Sequence, residues 1–331
     1  MSSTFGPSRR AVLGGAVAAA AWAALPAWAQ AKPTFRLNTV YNDRDLRAEV
    51  FRNFAKDVAG DVTIEPHYGA TLFKQGTEMV ALQRGNLEMA HISPSDITKQ
   101  IPAWGVLSAA YLFRDPGHVL RFFQSEAGKE YVRMAETQAG IKVLGPVYYG
   151  TRQVGLRGKK KIATPSDLAG VKLRMPPGDA WQLMGRALGA NPTPMAFAEV
   201  YTGLQTGAID GQDNPLPGVN AAKFHEVMGQ IVLTSHWVAF DIMAMNLKAW
   251  NDLGAERQGR LQAAVDRALN NCVQEYLTQE NGFADTFRKA GLDVYAPNQD
   301  AFRAHAQKVY LESPDAKAWL PGAMDKVAAV K

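Results

Sequence analysis

Arg174 follows Val171, Lys172 and Leu173 and is followed by Met175, Pro176 and Pro177. That run predicts a short strand over 171–174, ended by the prolines. In open α/β sheets ligands sit beyond the carboxyl ends of strands. A guanidinium there is a planar fork of donors that matches both oxygens of a carboxylate. The structural alternative is an ion pair with an acid nearby in the fold. Arg152 follows a second predicted strand, 143–149, and would strengthen anion capture. Asn214 lies between Asp213 and Pro215. Its amide can donate to a ligand oxygen and accept from a hydroxyl, although an Asx-Pro turn explains it equally well. Tyr41, Tyr148, Tyr149, Trp181, Phe197 and Trp237 are candidate cleft walls, with Tyr149 and Trp181 preferred for their closeness to the arginines. The chemistry these residues suggest is capture of a small organic acid.

Nothing in the pattern suggests catalysis. The six histidines are scattered and no pair has metal-ligand spacing. The nucleophile elbow, the phosphate loop and the dinucleotide fingerprint are all missing. The single cysteine, Cys272, sits inside a helical pattern and reads as a small buried apolar residue. No catalytic residue, metal or cofactor is therefore expected. An enzyme acting on a carboxylate, or a sensory receptor for one, stays open as the alternative.

The elements that must position these groups are α/β. A chain of 331 residues, 47% of them hydrophobic, suggests two domains. Residues 1–31 are expected to be an export signal: Arg9 and Arg10 precede an Ala-rich apolar run, and Ala27-Trp28-Ala29 resembles a cleavage site. The paired arginines suggest the twin-arginine route, with the general secretory route still open. Losing Arg9 and Arg10 lowers the formal charge from +5 to +3. That is too mild to argue for nucleic acid, and no later apolar run approaches the roughly 18 residues needed to span a bilayer.

From residue 34 the chain alternates predicted strands (34–40, 62–65, 87–92) with helices (46–58, 77–84, and one opening at Ser93). After 143–149 the same grammar repeats. A short helix opens at Thr164, and the strand 171–174 leads to a helix capped by Asp179 and ending at Gly189. Another helix carries Phe197, Val200, Tyr201 and Leu204 to Gly207, before a strand at 208–210. A long helix is predicted over 255–279, punctuated by Gly282. Leu82-Gln-Arg-Gly-Asn-Leu-Glu88 and Leu204-Gln-Thr-Gly-Ala-Ile-Asp210 echo each other. The echo reflects either two lobes of similar topology or the ordinary chemistry of helix-to-strand joins.

Several blocks carry a wider resemblance. They are Pro192-Thr-Pro-Met-Ala-Phe-Ala-Glu-Val-Tyr201, Leu204-Gln-Thr-Gly-Ala-Ile-Asp-Gly-Gln-Asp-Asn-Pro215, Ala81-Leu-Gln-Arg-Gly-Asn-Leu-Glu88, Asp167-Leu-Ala-Gly-Val-Lys-Leu-Arg174 and Lys223-Phe-His-Glu-Val227. With these the chain resembles the DctP-type solute receptors of tripartite ATP-independent periplasmic (TRAP) transporters. The resemblance implies a two-lobed periplasmic-binding fold of type II character, with hinge strands and a long helix crossing both lobes. Lobe I would comprise 32–149 plus about 240–279, and lobe II 150–239 plus about 280–331. It implies a periplasmic receptor, monomeric or dimeric, that delivers a small organic acid to the small and large membrane subunits. Arg174 would pair with the carboxylate, Arg152 would be a second anion contact, and Asn214 would help hold the acid. Phe197 would form an aromatic wall and His236 a polar position near the pocket. Where sialic-acid receptors carry acids in the first lobe, this chain has Gln75 and Ser93, so those positions imply a different ligand. With Tyr148, Tyr149 and Trp181 they point to a smaller or flatter acid.

Overall fold

A computed structural model describes residues 32–331; the expected export signal lies outside them. Nine strands form one sheet: β1 (Thr34–Asn38), β2 (Thr63–His67), β3 (Met89–Ile92), β4 (Ile141–Leu156), β5 (Lys172–Met175), β6 (Asn191–Pro194), β7 (Gly211–Pro215), β8 (Gln230–Asn246) and β9 (Asp293–Tyr295). Their order is β2-β1-β3-β8-β4-β7-β5-β6, with β9 beside the start of β8.

The order contains a repeat. In one lobe β1 lies parallel between β2 and β3, and β3 meets β8 antiparallel. In the other, β5 lies parallel between β6 and β7, and β7 meets β4 antiparallel. The sequence echo falls on the two equivalent joins. Gly85 and Gly207 both take a positive φ, +70° and +81°, as their helices end. Glu88 then accepts the backbone N–H of Arg36 on β1 at 2.9 Å, and Asp210 accepts that of Lys172 on β5 at 2.9 Å. The echo therefore marks two lobes of like topology, each using an acid to satisfy its central strand.

Two strands run through both lobes. β4 and β8 pair along nearly their whole length, with irregularities between Val143 and Gly145, Tyr148 and Gly150, and Arg152 and Val154. Bulges of this kind bend a strand and re-aim its side chains. Gly150 has φ +109°, and a Cβ there would stand 2.6 Å from the Pro215 Cβ. Gly150→Ala is expected to cost about 2–3 kcal/mol, from combined backbone strain and overpacking; urea unfolding of parent and variant measures it.

The helix Gly254–Lys289 lies across both lobes. Leu261, Val265, Leu269 and Tyr276 are buried on one stripe in the main core, and Phe287 enters the separate core of the second lobe with Val200, Leu204 and Phe224. Arg260 and Arg267 reach Asp61 and Asp57 of the first lobe at 2.6 Å. Glu280 accepts from the Thr151 N–H at 2.6 Å and the Tyr148 hydroxyl at 2.9 Å, tying the helix to β4 between its irregularities. The C-terminal residues reach back to the first lobe: Arg114 donates to the Ala328 carbonyl at 3.0 Å and His118 to that of Val327 at 2.9 Å. Among the described residues no helix is long and apolar enough to cross a membrane.

Four local expectations are corrected. Gly282 does not interrupt the long helix, because packing against both lobes outweighs glycine's weak propensity. Gly178, at φ +127°, precedes the helix Asp179–Ala187, so Asp179 is its first residue rather than its cap. The strand expected at 208–210 begins at Gly211, because Asp210 serves the neighbouring strand as described. Asp213, Asn214 and Pro215 consequently lie within β7, and Asn214 is not in a turn.

Candidate functional site

The two lobes face each other over a narrow cleft lined by residues of both. A larger groove between the helix Leu46–Asp57 and the long helix lacks any comparable convergence of charged groups.

Arg174 comes from β5 and is fully buried. Its Nε donates to the Met195 carbonyl at 2.8 Å, and Nη2 donates to Gln75 Oε1 at 3.3 Å. Among the described residues no carboxylate lies within ion-pair distance of it. Burial, and then the neighbouring Arg152, push the guanidinium down to about 9, still charged at neutral pH. A buried cation without a counter-ion is costly, so this site favours an incoming anion.

Arg152, on β4, is already paired. Its Nε meets Asp213 Oδ2 at 2.6 Å and Nη2 meets Oδ1 at 2.8 Å, a bidentate arrangement. A further bond runs to the Asp213 carbonyl, and Nη1 donates to the Tyr149 hydroxyl at 3.3 Å. Its guanidinium lies 4.8 Å from the Trp181 ring centre. Burial acts to raise the Asp213 carboxyl, but Arg152 and a hydrogen bond from His236 outweigh it and hold it well below the usual range. Arg152, expected as a second anion contact, therefore directs its fork to Asp213 and Tyr149 while lining the cleft.

Asn214 and Phe197 border the cleft beside these arginines. Asn214 Nδ2 donates to Gln212 Oε1 at 2.6 Å. Gln75 crosses from the first lobe: its Oε1 accepts from Arg174 and, at 2.8 Å, from the Phe197 backbone N–H. Ser93 lines the opposite wall, where its hydroxyl accepts the Ser95 N–H and Asp96 accepts the Ser93 N–H, a reciprocal cap. Tyr41, Tyr149 and Trp181 also line the cleft.

Two expected wall residues, Tyr148 and Trp237, stand elsewhere, and His236, expected near the pocket, does not line it. His236 is one layer back, its Nε2 3.2 Å from Asp213 Oδ2 and its Nδ1 2.8 Å from the Thr234 hydroxyl. Burial lowers its pKa, and it supports Asp213 from behind. Tyr148 points to Glu280 on the long helix. Trp237 packs edge-on against Trp181, behind the wall. Without Tyr148 the case for a flat ligand weakens.

The sequence reading missed most of the first-lobe wall: Arg47, Glu78, His91, Asp96 and Asp241. Arg47 is held between the Tyr41 and Tyr149 rings, 4.0 and 4.4 Å from their centres. It donates to both Asp45 oxygens at 2.9 and 3.0 Å and to Asp241 Oδ2 at 3.1 Å. Burial raises Asp241 and Asp96 to about 6. Burial, then Asp96, raises Glu78 to about 8. His91 Nδ1 lies 2.9 Å from the Tyr41 hydroxyl, while its buried Nε2 has no hydrogen-bond partner among the described residues. Burial, then Arg47, lowers His91 to about 3, so the ring is neutral. One signal was legible: Asp241 is a lone acid within the apolar run 237–245.

A family model described as bacterial extracellular solute-binding protein, family 7 (DctP), matches residues 38–315. A solved TRAP periplasmic solute-binding protein from Roseobacter denitrificans with bound 3-deoxy-D-manno-oct-2-ulosonic acid is 40% identical, with a TM-score of 0.89 over 91% of this chain and 100% of that one. The C4-dicarboxylate-binding periplasmic protein DctP of Vibrio cholerae is 31% identical, over 78% of this chain and 82% of its own length. The sialic acid-binding periplasmic protein SiaP of the same organism is 28% identical, over 82% of this chain and 83% of its own.

Proposed function

Because the chain belongs to the DctP family of bacterial extracellular solute-binding proteins, we propose that it is the periplasmic receptor of a TRAP transporter and that its ligand is a sugar acid. The observation that carries this reading is Arg174, a buried guanidinium lining the cleft with no carboxylate within ion-pair distance among the described residues. Asn214 and Arg174 would hold the acid group, and Phe197, Tyr149 and Trp181 would enclose the carbon chain. The first-lobe wall of Glu78, His91 and Asp96 offers acceptors suited to hydroxyl groups. The sugar acid in the Roseobacter neighbour supports a hydroxyl-rich ligand over a flat one.

The lobes would close about β4 and β8 near their irregularities, with 32–149 plus about 240–279 as lobe I and 150–239 plus about 280–331 as lobe II. Gln75, joined to Arg174 and Phe197 across the cleft, would latch the closed state. Closure would present a surface of both lobes to the small and large membrane subunits. The family's extracellular character and the expected signal at 1–31 support export, by the twin-arginine route in this reading.

A thermal-shift screen of the purified protein tests this. Hexonates, hexuronates and 3-deoxy-ulosonates are compared with the matching uncharged alditols. At about 100 times its Kd a ligand should stabilise the fold by about 2.7 kcal/mol. The expected result is a shift with one sugar-acid series, none with its alditol, and recovery of the bound acid chemically unchanged. Binding of alditol and acid alike, or conversion of the acid, would overturn the reading.

A further inference from the structure

Resting on that reading, we infer that the cleft admits only one carboxylate: Arg174 of the second lobe takes it, and the first-lobe carboxyls Asp96 and Asp241 reject a second one on the first-lobe side. The argument is a balance of charge and hydrogen-bonding capacity. Three arginines border the cleft. Arg152 is neutralised by the bidentate Asp213. Arg47 is occupied by Asp45 and Asp241, and aromatic rings cover both faces of its guanidinium. That leaves Arg174, whose only protein acceptors are two neutral oxygens, Met195 O and Gln75 Oε1. One free guanidinium matches one carboxylate.

The far wall has the opposite character. Glu78 stands at the first turn of the helix Glu78–Gln83, Asp96 lies in the helix Pro94–Ile97, and Asp241 comes from β8, so three separate elements deliver carboxyls to the lining of the cleft. They are close enough to perturb one another's ionisation. Arg47 offsets Asp45 and part of Asp241, while Glu78 and Asp96 have no cation within ion-pair distance among the described residues. A hydroxyl can donate to such acceptors, and the neutral His91 adds a ring nitrogen still without a partner. A carboxylate can donate nothing to Asp96 and Asp241 and meets like charge from them, whereas Glu78, raised to about 8, is largely protonated at neutral pH. The preferred ligand is thus an acid at one end and a polyol at the other.

Matched pairs test this by calorimetry: galactonate and galacturonate against galactarate, and gluconate and glucuronate against glucarate. Each aldonate keeps the open carbon chain of its diacid and differs only at the terminal carbon, while the uronates sample the ring form. The expected result is binding of at least one monoacid, with its diacid weaker by about 100-fold or more, since like-charge juxtaposition costs several kcal/mol and 1.4 kcal/mol is tenfold. In Asp96→Asn, which keeps the side chain as an acceptor, the ratio of the two dissociation constants should shrink about tenfold or more. A diacid within threefold of its monoacid overturns the inference and leaves the sugar-acid reading standing. An unchanged ratio in a variant that still binds the monoacid also overturns it. Failure of all four monoacids and of the 3-deoxy-ulosonates, with binding of other solutes, overturns the sugar-acid reading and the inference together.

Discussion

Arg174→Ala is expected to weaken ligand binding by roughly 2–5 kcal/mol, about 30- to 5,000-fold, without unfolding the protein. The asymmetry follows from its surroundings. Arg174 has no carboxylate partner among the described residues, so its removal strands no buried charge; it releases one carbonyl, Met195 O, and the Gln75 amide. Its loss also relieves the repulsion with Arg152 that helps push its pKa down. The ligand's carboxylate, by contrast, loses its one free guanidinium. Arg174→Lys keeps the charge but not the planar fork, so it should fall between alanine and parent. Calorimetric titration gives the affinity, and urea unfolding of the ligand-free variants shows whether the fold survives. A variant that binds as tightly as the parent would remove Arg174 from the site.

Asp213→Asn is expected to act mainly on stability, costing about 3–5 kcal/mol in urea unfolding. It leaves the Arg152 guanidinium buried beside Arg174 with no counter-charge, and it weakens the support from His236. The pH dependence has a defined sign. Because Asp213 is depressed in the folded state, its contribution is fully present above the unfolded carboxylate pKa of about 3.9, and it is lost as pH falls towards its lower folded value. The stability gap between parent and variant should therefore be constant from about pH 5 to 7 and narrow below about pH 4. A variant within 1 kcal/mol of the parent at pH 7 would show that the pair is not buried as described.

What could be read from the chain before the fold, and what could not, divides along sequence distance. Arg174 at a strand end, Tyr149 and Trp181 near it, and the acid-bearing joins at Glu88 and Asp210 are local signals, and the structure places the first three at the cleft and the two acids just ahead of β3 and β7. The state of Arg152 is not local: it depends on β4 and β7 pairing antiparallel, which sets Val154 opposite Asp213 and brings a carboxylate from about sixty residues away. The first-lobe wall is harder still, because Arg47, Glu78, His91, Asp96 and Asp241 come from five elements, and none has a spacing that announces the others. His236 read only as a polar position near the pocket, and its place behind Asp213 depends on β7 and β8 both pairing with β4. The glycine at 282 misled for another reason, since a propensity of about 1 kcal/mol yields to a helix packed against both lobes.

The most direct test is a crystal structure with the tightest-binding sugar acid. The carboxylate should lie within about 2.7–3.0 Å of the Arg174 guanidinium nitrogens, with the ligand hydroxyls directed at Glu78, Asp96 and His91. A ligand bound the other way round, with its carboxylate at Arg47 and its hydroxyls at Arg174, would contradict the account.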